Sequence, residues 1–160
     1  MPIKIDKYGY ITPYEPVRAT VGELKETFVD RFTDATDRMA LYEGYMQCCN
    51  ILVSLIGAHL QWVDGSFTSG KAKPNDIDVL CFVNYDQPQA VFDELSQLMA
   101  RSRKEFGVDL YVIQTYPTDH TKHRIFEIDK VEWLNQFTRT RKMGHRKIQY
   151  DKGFLELYLD

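Results

Sequence analysis

The sequence predicts an α/β (α+β) fold, with a small mixed sheet on which helices pack. Apolar residues recur at helical spacing in some segments, and other segments are short apolar runs typical of strands. These segments follow one another as helix, strand, corner, strand, helix, strand, an order in which helices cover a sheet. The 160 residues are enough to bury one core, so we expect a single domain over residues 1–160.

Composition limits the class of protein. Apolar residues make up 44% and charged residues 27% of the chain, as in ordinary globular proteins. We expect no membrane association, because no stretch reaches the roughly 20 apolar residues of a membrane span and residues 1–10 contain no apolar signal region. The three cysteines have no framework spacing, which favours buried thiols in a reducing, cytoplasmic location.

The first elements follow from capping and periodicity. We expect residues 1–19 to be an irregular N-terminal segment because they include three prolines. Thr20 and Glu23 have the spacing of a capping box, so a short helix should follow. Apolar residues then recur at helical spacing over residues 34–56, which predicts a long helix that ends at Gly57.

The next segment holds two predicted strands around a corner. The first strand covers residues 60–64 and leads into Gly65-Ser66, where a short helix should begin. Pro74-Asn75 indicates a turn, and the second strand covers residues 76–83.

The remaining elements are read in the same way. Asp86 is a candidate N-cap, with Pro88 in the first turn of a helix that Gly107 ends. A third strand follows and contains Asp109. Residues 116–124 are expected to be a loop, residues 131–137 a short helix and residues 153–159 the last strand.

Two acids one residue apart are the main chemical signal. Side chains alternate along a strand, so Asp76 and Asp78 should share one face. Two such charges about 4 Å apart repel by roughly 4 kcal/mol at an effective dielectric near 20, which favours a divalent cation between them. Oxygen ligands suit Mg²⁺, and Mg²⁺ suits phosphates. Gly65 would let backbone approach a phosphate, and Ser66 could open a helix whose N–H groups face an anion.

Asp109 is the candidate third acid, because it lies in a predicted buried strand where an unpaired carboxylate is costly. The simpler alternatives are a solvent-facing pair of acids, an ordinary turn at Gly65-Ser66, and a turn-capping role for Asp109.

This spacing resembles the DNA polymerase beta nucleotidyltransferase superfamily, whose pattern is Gly-Ser, nine to thirteen residues, and acid-hydrophobe-acid. Here nine residues separate Ser66 from Asp76-Ile77-Asp78. The resemblance implies the minimal nucleotidyltransferase fold and a metal-dependent enzyme that transfers a nucleoside monophosphate from an NTP to a hydroxyl group. It also implies Mg²⁺ or Mn²⁺ as cofactor, with two ions when nucleotide is bound. Asp76, Asp78 and Asp109 would be the catalytic metal ligands.

Further features are similar to a narrower group, the small bacterial nucleotidyltransferase-like proteins related to minimal nucleotidyltransferases of toxin–antitoxin systems. They are the Trp62 to Phe67 corner, the Arg139-Thr140-Arg141 turn and the Lys152-Gly153 strand start. This likeness implies a toxin–antitoxin or phage-defence setting and a partner toxin. The acceptor stays open between a protein hydroxyl, a tRNA 3′ end and a small molecule.

Basic residues supply the remaining candidates. Gly65, Ser66, Lys71, Arg139 and Arg141 are the expected nucleotide-binding residues. The net charge of −3 argues against general nucleic-acid binding, yet residues 138–152 carry six cations against one acid, a formal +5. That segment is either a solvated basic surface or a phosphate-binding edge for a triphosphate or an RNA backbone. The alternative function is a non-catalytic nucleotide- or partner-binding module, antitoxin-like, on the same fold.

Overall fold

The computed structural model describes residues 2–160 and confirms the predicted fold class. The strands are β1 Lys4–Ile5, β2 Ile11–Thr12, β3 Pro16–Arg18, β4 His59–Asp64, β5 Ile77–Asn84, β6 Val108–Thr115 and β7 Phe154–Leu159. The helices are α1 Val21–Lys25, α2 Thr36–Ile56, α3 Gln89–Phe106 and α4 His123–Phe137, with a π-helical turn at Glu26–Asp30 and a 3₁₀ turn at Ser66–Thr68.

Five of the strands form one mixed sheet in the order β3-β7-β4-β5-β6. β4 is antiparallel to both of its neighbours, β7 and β5, whereas β5 and β6 are parallel and are connected through α3. β3 pairs in parallel with β7 at one edge. β1 and β2 form a separate two-stranded ribbon.

The two faces of the sheet bury two different apolar clusters. α2 and α3 pack on one face around the larger cluster, which includes Leu52, Val79 and Leu157. α4 covers the other face, where the smaller cluster contains Trp62, Phe82 and other aromatic side chains. Because side chains alternate along strands, the even-numbered residues of β4 and β5 face α4. Asp64 and Asp78 therefore lie on the α4 face.

The turn between α3 and β6 fixes the register that matters for the site. α3 ends at Gly107, which has φ +71° and a left-handed conformation that favours glycine. A Cβ there would lie 2.6 Å from Leu41 Cδ2, so the Leu41 side chain would have to shift. The Gly107 carbonyl accepts a hydrogen bond of 3.2 Å from the Ile77 amide. β6 consequently starts level with β5, and Asp109 pairs with Asp78.

Three expectations about local structure were wrong. The N-terminal segment is not irregular, because β1, β2 and β3 lie within residues 2–19; residue 1 lies outside the described part. β3 pairs with β7, a partner that the local sequence does not reveal. α3 begins at Gln89 with Pro88 as N-cap and no side-chain cap, so Asp86 does not have that role. α4 begins at His123, eight residues before the expected start at Val131, because its apolar face packs on the sheet.

Residues 138–152 form a hairpin-like loop, joined by isolated backbone bridges, that we call the basic arm. Bridges join Arg139 to Asp151 and Met143 to Ile148, and residues 141–149 are all exposed. The arm leads directly into β7.

Two further expectations concern the core and the surface. Cys48, Cys49 and Cys81 are free thiols in the core, as expected. Burial raises the pKa of all three, so they stay protonated near neutral pH and are poor nucleophiles. Within residues 2–160, every helix is either too short or too polar to cross a bilayer.

Candidate active site

The corner after β4 brings backbone close to both acids of β5. Gly65 has φ +96°, a region that L side chains rarely adopt. A Cβ at Gly65 would lie 2.9 Å from the Asp78 amide nitrogen and 3.1 Å from the Asp76 carbonyl oxygen. Any larger residue would therefore push the corner away from the acids. The expected short helix after the strand is present as the 3₁₀ turn that starts at Ser66.

Three carboxylates converge beside this corner, as the sequence led us to expect. Asp76, Asp78 and Asp109 each offer an oxygen, and these oxygens lie within 4.8 Å of one another. Asp78 is the register partner of Asp109, and Asp76 precedes it by two residues on the same face. All three are half-buried. Carboxylate oxygens at this spacing are suitable ligands for Mg²⁺ or Mn²⁺, so the donor set fits a divalent cation.

The electrostatics show that this cluster is under strain without a cation. Burial raises the pKa of Asp78 to about 7, and repulsion by Asp76, Asp64 and Asp109 adds to the shift. Burial also raises the pKa of Asp109, although the Arg103 guanidinium opposes the rise. Arg103 Nη1 lies 3.1 and 3.3 Å from the two Asp109 oxygens. Positive charge placed among these groups would therefore be bound favourably.

The Ser66 hydroxyl faces the cluster and not the core. Its Oγ donates to Asp76 Oδ1 at 3.1 Å and accepts from the Asn75 amide at 2.9 Å. The Phe67 amide donates to the Asp76 carbonyl at 3.2 Å. The corner and the segment before β5 are thus joined by several bonds, and Ser66 orients Asp76.

A fourth carboxylate, that of Asp64, lies in one row with Asp78 and Asp109 across the sheet, and we had predicted no role for it. Asp64 is the register partner of Asp78 on the side opposite to Asp109. Its side chain is 5% exposed, and both of its oxygens accept from the ammonium of Lys152, which is 12% exposed. Burial raises the pKa of Asp64 to about 6, although Lys152 opposes the rise. The one sequence signal was a charged residue at the end of a buried apolar strand.

A cation lies at each end of this row of carboxylates. The row reads Arg103, Asp109, Asp78, Asp64 and Lys152 across the sheet. With Asp76, four carboxylates face two cations, which leaves a formal charge of −2. One divalent cation would neutralise this charge.

Arg38 is a second residue that the sequence reading missed. It is fully buried in α2, and its guanidinium donates to the carbonyls of Phe28, Phe67, Ser69 and Lys71 at 2.6–2.9 Å. Three of these carbonyls belong to the loop that follows the Gly65-Ser66 corner. Arg38 therefore holds that loop against α2. An arginine within an apolar helix face was the available signal.

The predicted basic side chains are less closely connected to the acids. Lys71 is exposed, and it contributes its backbone carbonyl to Arg38. Arg139 and Arg141 are exposed on the basic arm, and no hydrogen bond or ion pair joins either guanidinium to the acids within residues 2–160. Lys152, at the end of the same arm, is the basic residue that reaches the acid row. A role for Lys71, Arg139 and Arg141 in nucleotide binding stays a prediction.

Comparison with known proteins gives one match. A family model described as "Family of unknown function (DUF6932)" matches residues 3–158. Neither the curated proteins nor the solved structures include a match to this chain.

Proposed function

The chain belongs to the DUF6932 family, and we propose that it is a metal-dependent nucleotidyltransferase. The observation that carries the proposal is the convergence of Asp76, Asp78 and Asp109, within 4.8 Å, on the corner formed by Gly65 and Ser66. This arrangement combines ligands for a divalent cation with backbone that can approach a phosphate. The sequence resemblance to the DNA polymerase beta superfamily rests on the same residues.

Each residue of the site has a task in this proposal. Asp76, Asp78 and Asp109 would hold Mg²⁺ or Mn²⁺, two ions when nucleotide is bound, and the ions would supply charge stabilisation at the transferred phosphoryl group. Gly65 admits the triphosphate to the corner, and Ser66 holds Asp76 in place. The ammonium of Lys71 is exposed five residues after Ser66 and balances charge on the β- and γ-phosphates.

The reaction is an in-line displacement at the α-phosphorus. The acceptor hydroxyl oxygen forms the new bond, the bond to the bridging oxygen of pyrophosphate breaks, and pyrophosphate leaves. Asp109 takes the proton of the acceptor hydroxyl.

A labelling experiment tests this proposal. The protein is incubated in a lysate with each of the four NTPs, labelled on either the α- or the γ-phosphate, with Mg²⁺ or Mn²⁺. We expect α-label, but not γ-label, to appear on a protein, an RNA or a small molecule. The Asp76→Asn/Asp78→Asn variant should abolish the transfer, whereas Asp119→Asn, an exposed loop acid, should not. Transfer of γ-label would indicate a kinase and contradict the proposal.

The alternative is a non-catalytic binding module, and one observation favours it. Arg103 already pairs with Asp109, and Lys152 already pairs with Asp64, so protein cations neutralise part of the row. If no NTP transfers label and Mn²⁺ still binds to the wild type, the site binds nucleotide or a partner without turnover. If Mn²⁺ does not bind either, the acids are structural.

A further inference from the structure

The basic arm is opposite in net charge to the rest of the protein. Residues 138–152 sum to +5 and the whole chain to −3, so the remaining residues sum to −8. Five of the six cations are exposed, and none of them forms an ion pair within residues 2–160. These five are Arg139, Arg141, Lys142, Arg146 and Lys147. An acidic protein thus carries five cations without an ion pair within the nine residues 139–147.

Backbone hydrogen bonds join the two sides of the arm, so the backbone positions that carry these charges are defined. The Thr140 amide donates to the Tyr150 carbonyl at 2.9 Å, and Met143 and Ile148 exchange two backbone bonds of 2.8 and 3.0 Å. Thr140 is buried, whereas Arg139 and Arg141 on either side of it are exposed. Both arginines are therefore accessible to solvent on either side of a buried threonine.

Aromatic side chains adjoin the base of the arm. The Tyr150 ring lies 5.0 Å from the ring of Tyr8 and 5.8 Å from the ring of Tyr10, measured between centroids. Tyr8 is 56% exposed, and Lys7 Nζ lies 5.0 Å from its ring centroid. Exposed tyrosine rings beside cations are the elements with which proteins bind single-stranded nucleic acid: bases stack on the rings and phosphates meet the cations.

The same tyrosines connect the arm to the candidate active site. Tyr10 forms a backbone bridge with Ser69, three residues after Ser66. At the other side, Lys152 ends the arm and donates to Asp64 in the acid row. The exposed cations, the tyrosines and the acids are therefore parts of one continuous region of the molecule.

We propose that the basic arm and Tyr8 bind a single-stranded polynucleotide, the phosphates along the arm and a base on the tyrosine. The binding requires no catalysis. The additional statement that the bound strand presents its terminal hydroxyl as the acceptor rests on the proposed function. A duplex fits less well, since its bases are stacked on each other and cannot stack on a side chain.

The test measures binding of labelled RNA and DNA oligonucleotides of about 12 residues by fluorescence anisotropy. If five cations contact phosphates, affinity should fall about 100-fold between about 50 and about 200 mM salt. Arg139→Gln/Arg141→Gln should weaken binding about tenfold at low salt and make the logarithmic salt slope shallower by about 1.4. Tyr8→Ala should weaken binding at least about fivefold and leave the salt slope unchanged.

Matched controls separate this inference from the proposed function. Lys104→Gln/Lys122→Gln removes two exposed cations outside the arm and should leave binding unchanged. Asp76→Asn/Asp78→Asn should bind at least as well as wild type even where it transfers no label. RNA bound more tightly than DNA would identify RNA as the natural strand. Absence of binding at low salt, an arm variant that binds like wild type, a preference for duplex, or binding only to anionic vesicles would overturn the inference.

Discussion

Replacing Asp78 by asparagine should stabilise the metal-free protein. Asp78 is half-buried and lies between Asp109 and Asp64 in the sheet, with Asp76 two residues before it. Burial and these three neighbours raise its pKa from the usual 3.8 to about 7. Asparagine has nearly the same shape and no charge, so it removes the repulsion and keeps the packing.

The magnitude follows from the pKa. A tenfold change in proton affinity is worth about 1.4 kcal/mol, so the rise to about 7 corresponds to about 4 kcal/mol. The folded protein binds the Asp78 proton more tightly than the unfolded chain does. The contribution of this proton to the free energy of unfolding is therefore fully present below about pH 4 and is lost as the pH rises through about 7. Water that reaches the half-buried carboxylate makes 4 kcal/mol an upper limit.

The assay is urea denaturation in EDTA across this pH range. The free energy of unfolding of Asp78→Asn minus that of wild type should be near zero at about pH 4 and grow to at most about 4 kcal/mol above pH 7. Mg²⁺ should then stabilise wild type, by about 2.7 kcal/mol at a hundredfold excess over Kd, and not the variant. Asp119→Asn serves as the control. If Asp78→Asn is less stable than wild type at every pH, the carboxylate is structural and the reasoning fails.

Three further substitutions test the rest of the site. Asp64→Asn leaves the Lys152 ammonium buried and unpaired, so it should lower the free energy of unfolding by about 3–5 kcal/mol in denaturation experiments. The double variant Asp64→Asn/Lys152→Met should recover much of that loss. A loss under about 1 kcal/mol would mean that the pair is solvated. Gly65→Ala should cost about 1–3 kcal/mol and abolish Mn²⁺ binding measured by calorimetry, because the new Cβ displaces the Asp76 carbonyl and the Asp78 amide; unchanged Mn²⁺ binding would contradict the close approach. Arg38→Met should increase hydrogen exchange in residues 66–71 more than elsewhere, since three of the four carbonyls it binds belong to that loop; a uniform increase would assign Arg38 to global stability.

The parts that sequence reasoning predicted are those fixed by local geometry. Asp76 directly precedes β5 and Asp78 is its second residue, so their spacing of two places them on one side, and Gly65 precedes a turn because L side chains rarely adopt its backbone conformation. The convergence of Asp109 required only that two apolar runs separated by a helix lie parallel and adjacent, which is the usual outcome for such a connection.

The parts that it missed depend on contacts between distant residues. Lys152 and Asp64 are 88 residues apart, so nothing local to Lys152 identifies Asp64 as its partner. Arg38 binds carbonyls up to 33 residues away. The strand at residues 16–18 exists only because β7 offers it an edge, so propensity alone could not reveal it.

The position of β4 has a consequence for how the protein is made. β4 lies between β5 and β7, yet its pairing with β7 joins Trp62 to Glu156, 94 residues later. Until β7 has emerged from the ribosome, one side of β4 is an unpaired edge and Trp62 lacks its contact with the Phe154 ring. Contacts of such long range slow folding and leave apolar surface exposed meanwhile. We therefore expect the nascent chain to depend on chaperones most strongly just before β7 emerges, and any truncation that removes β7 to yield aggregated protein.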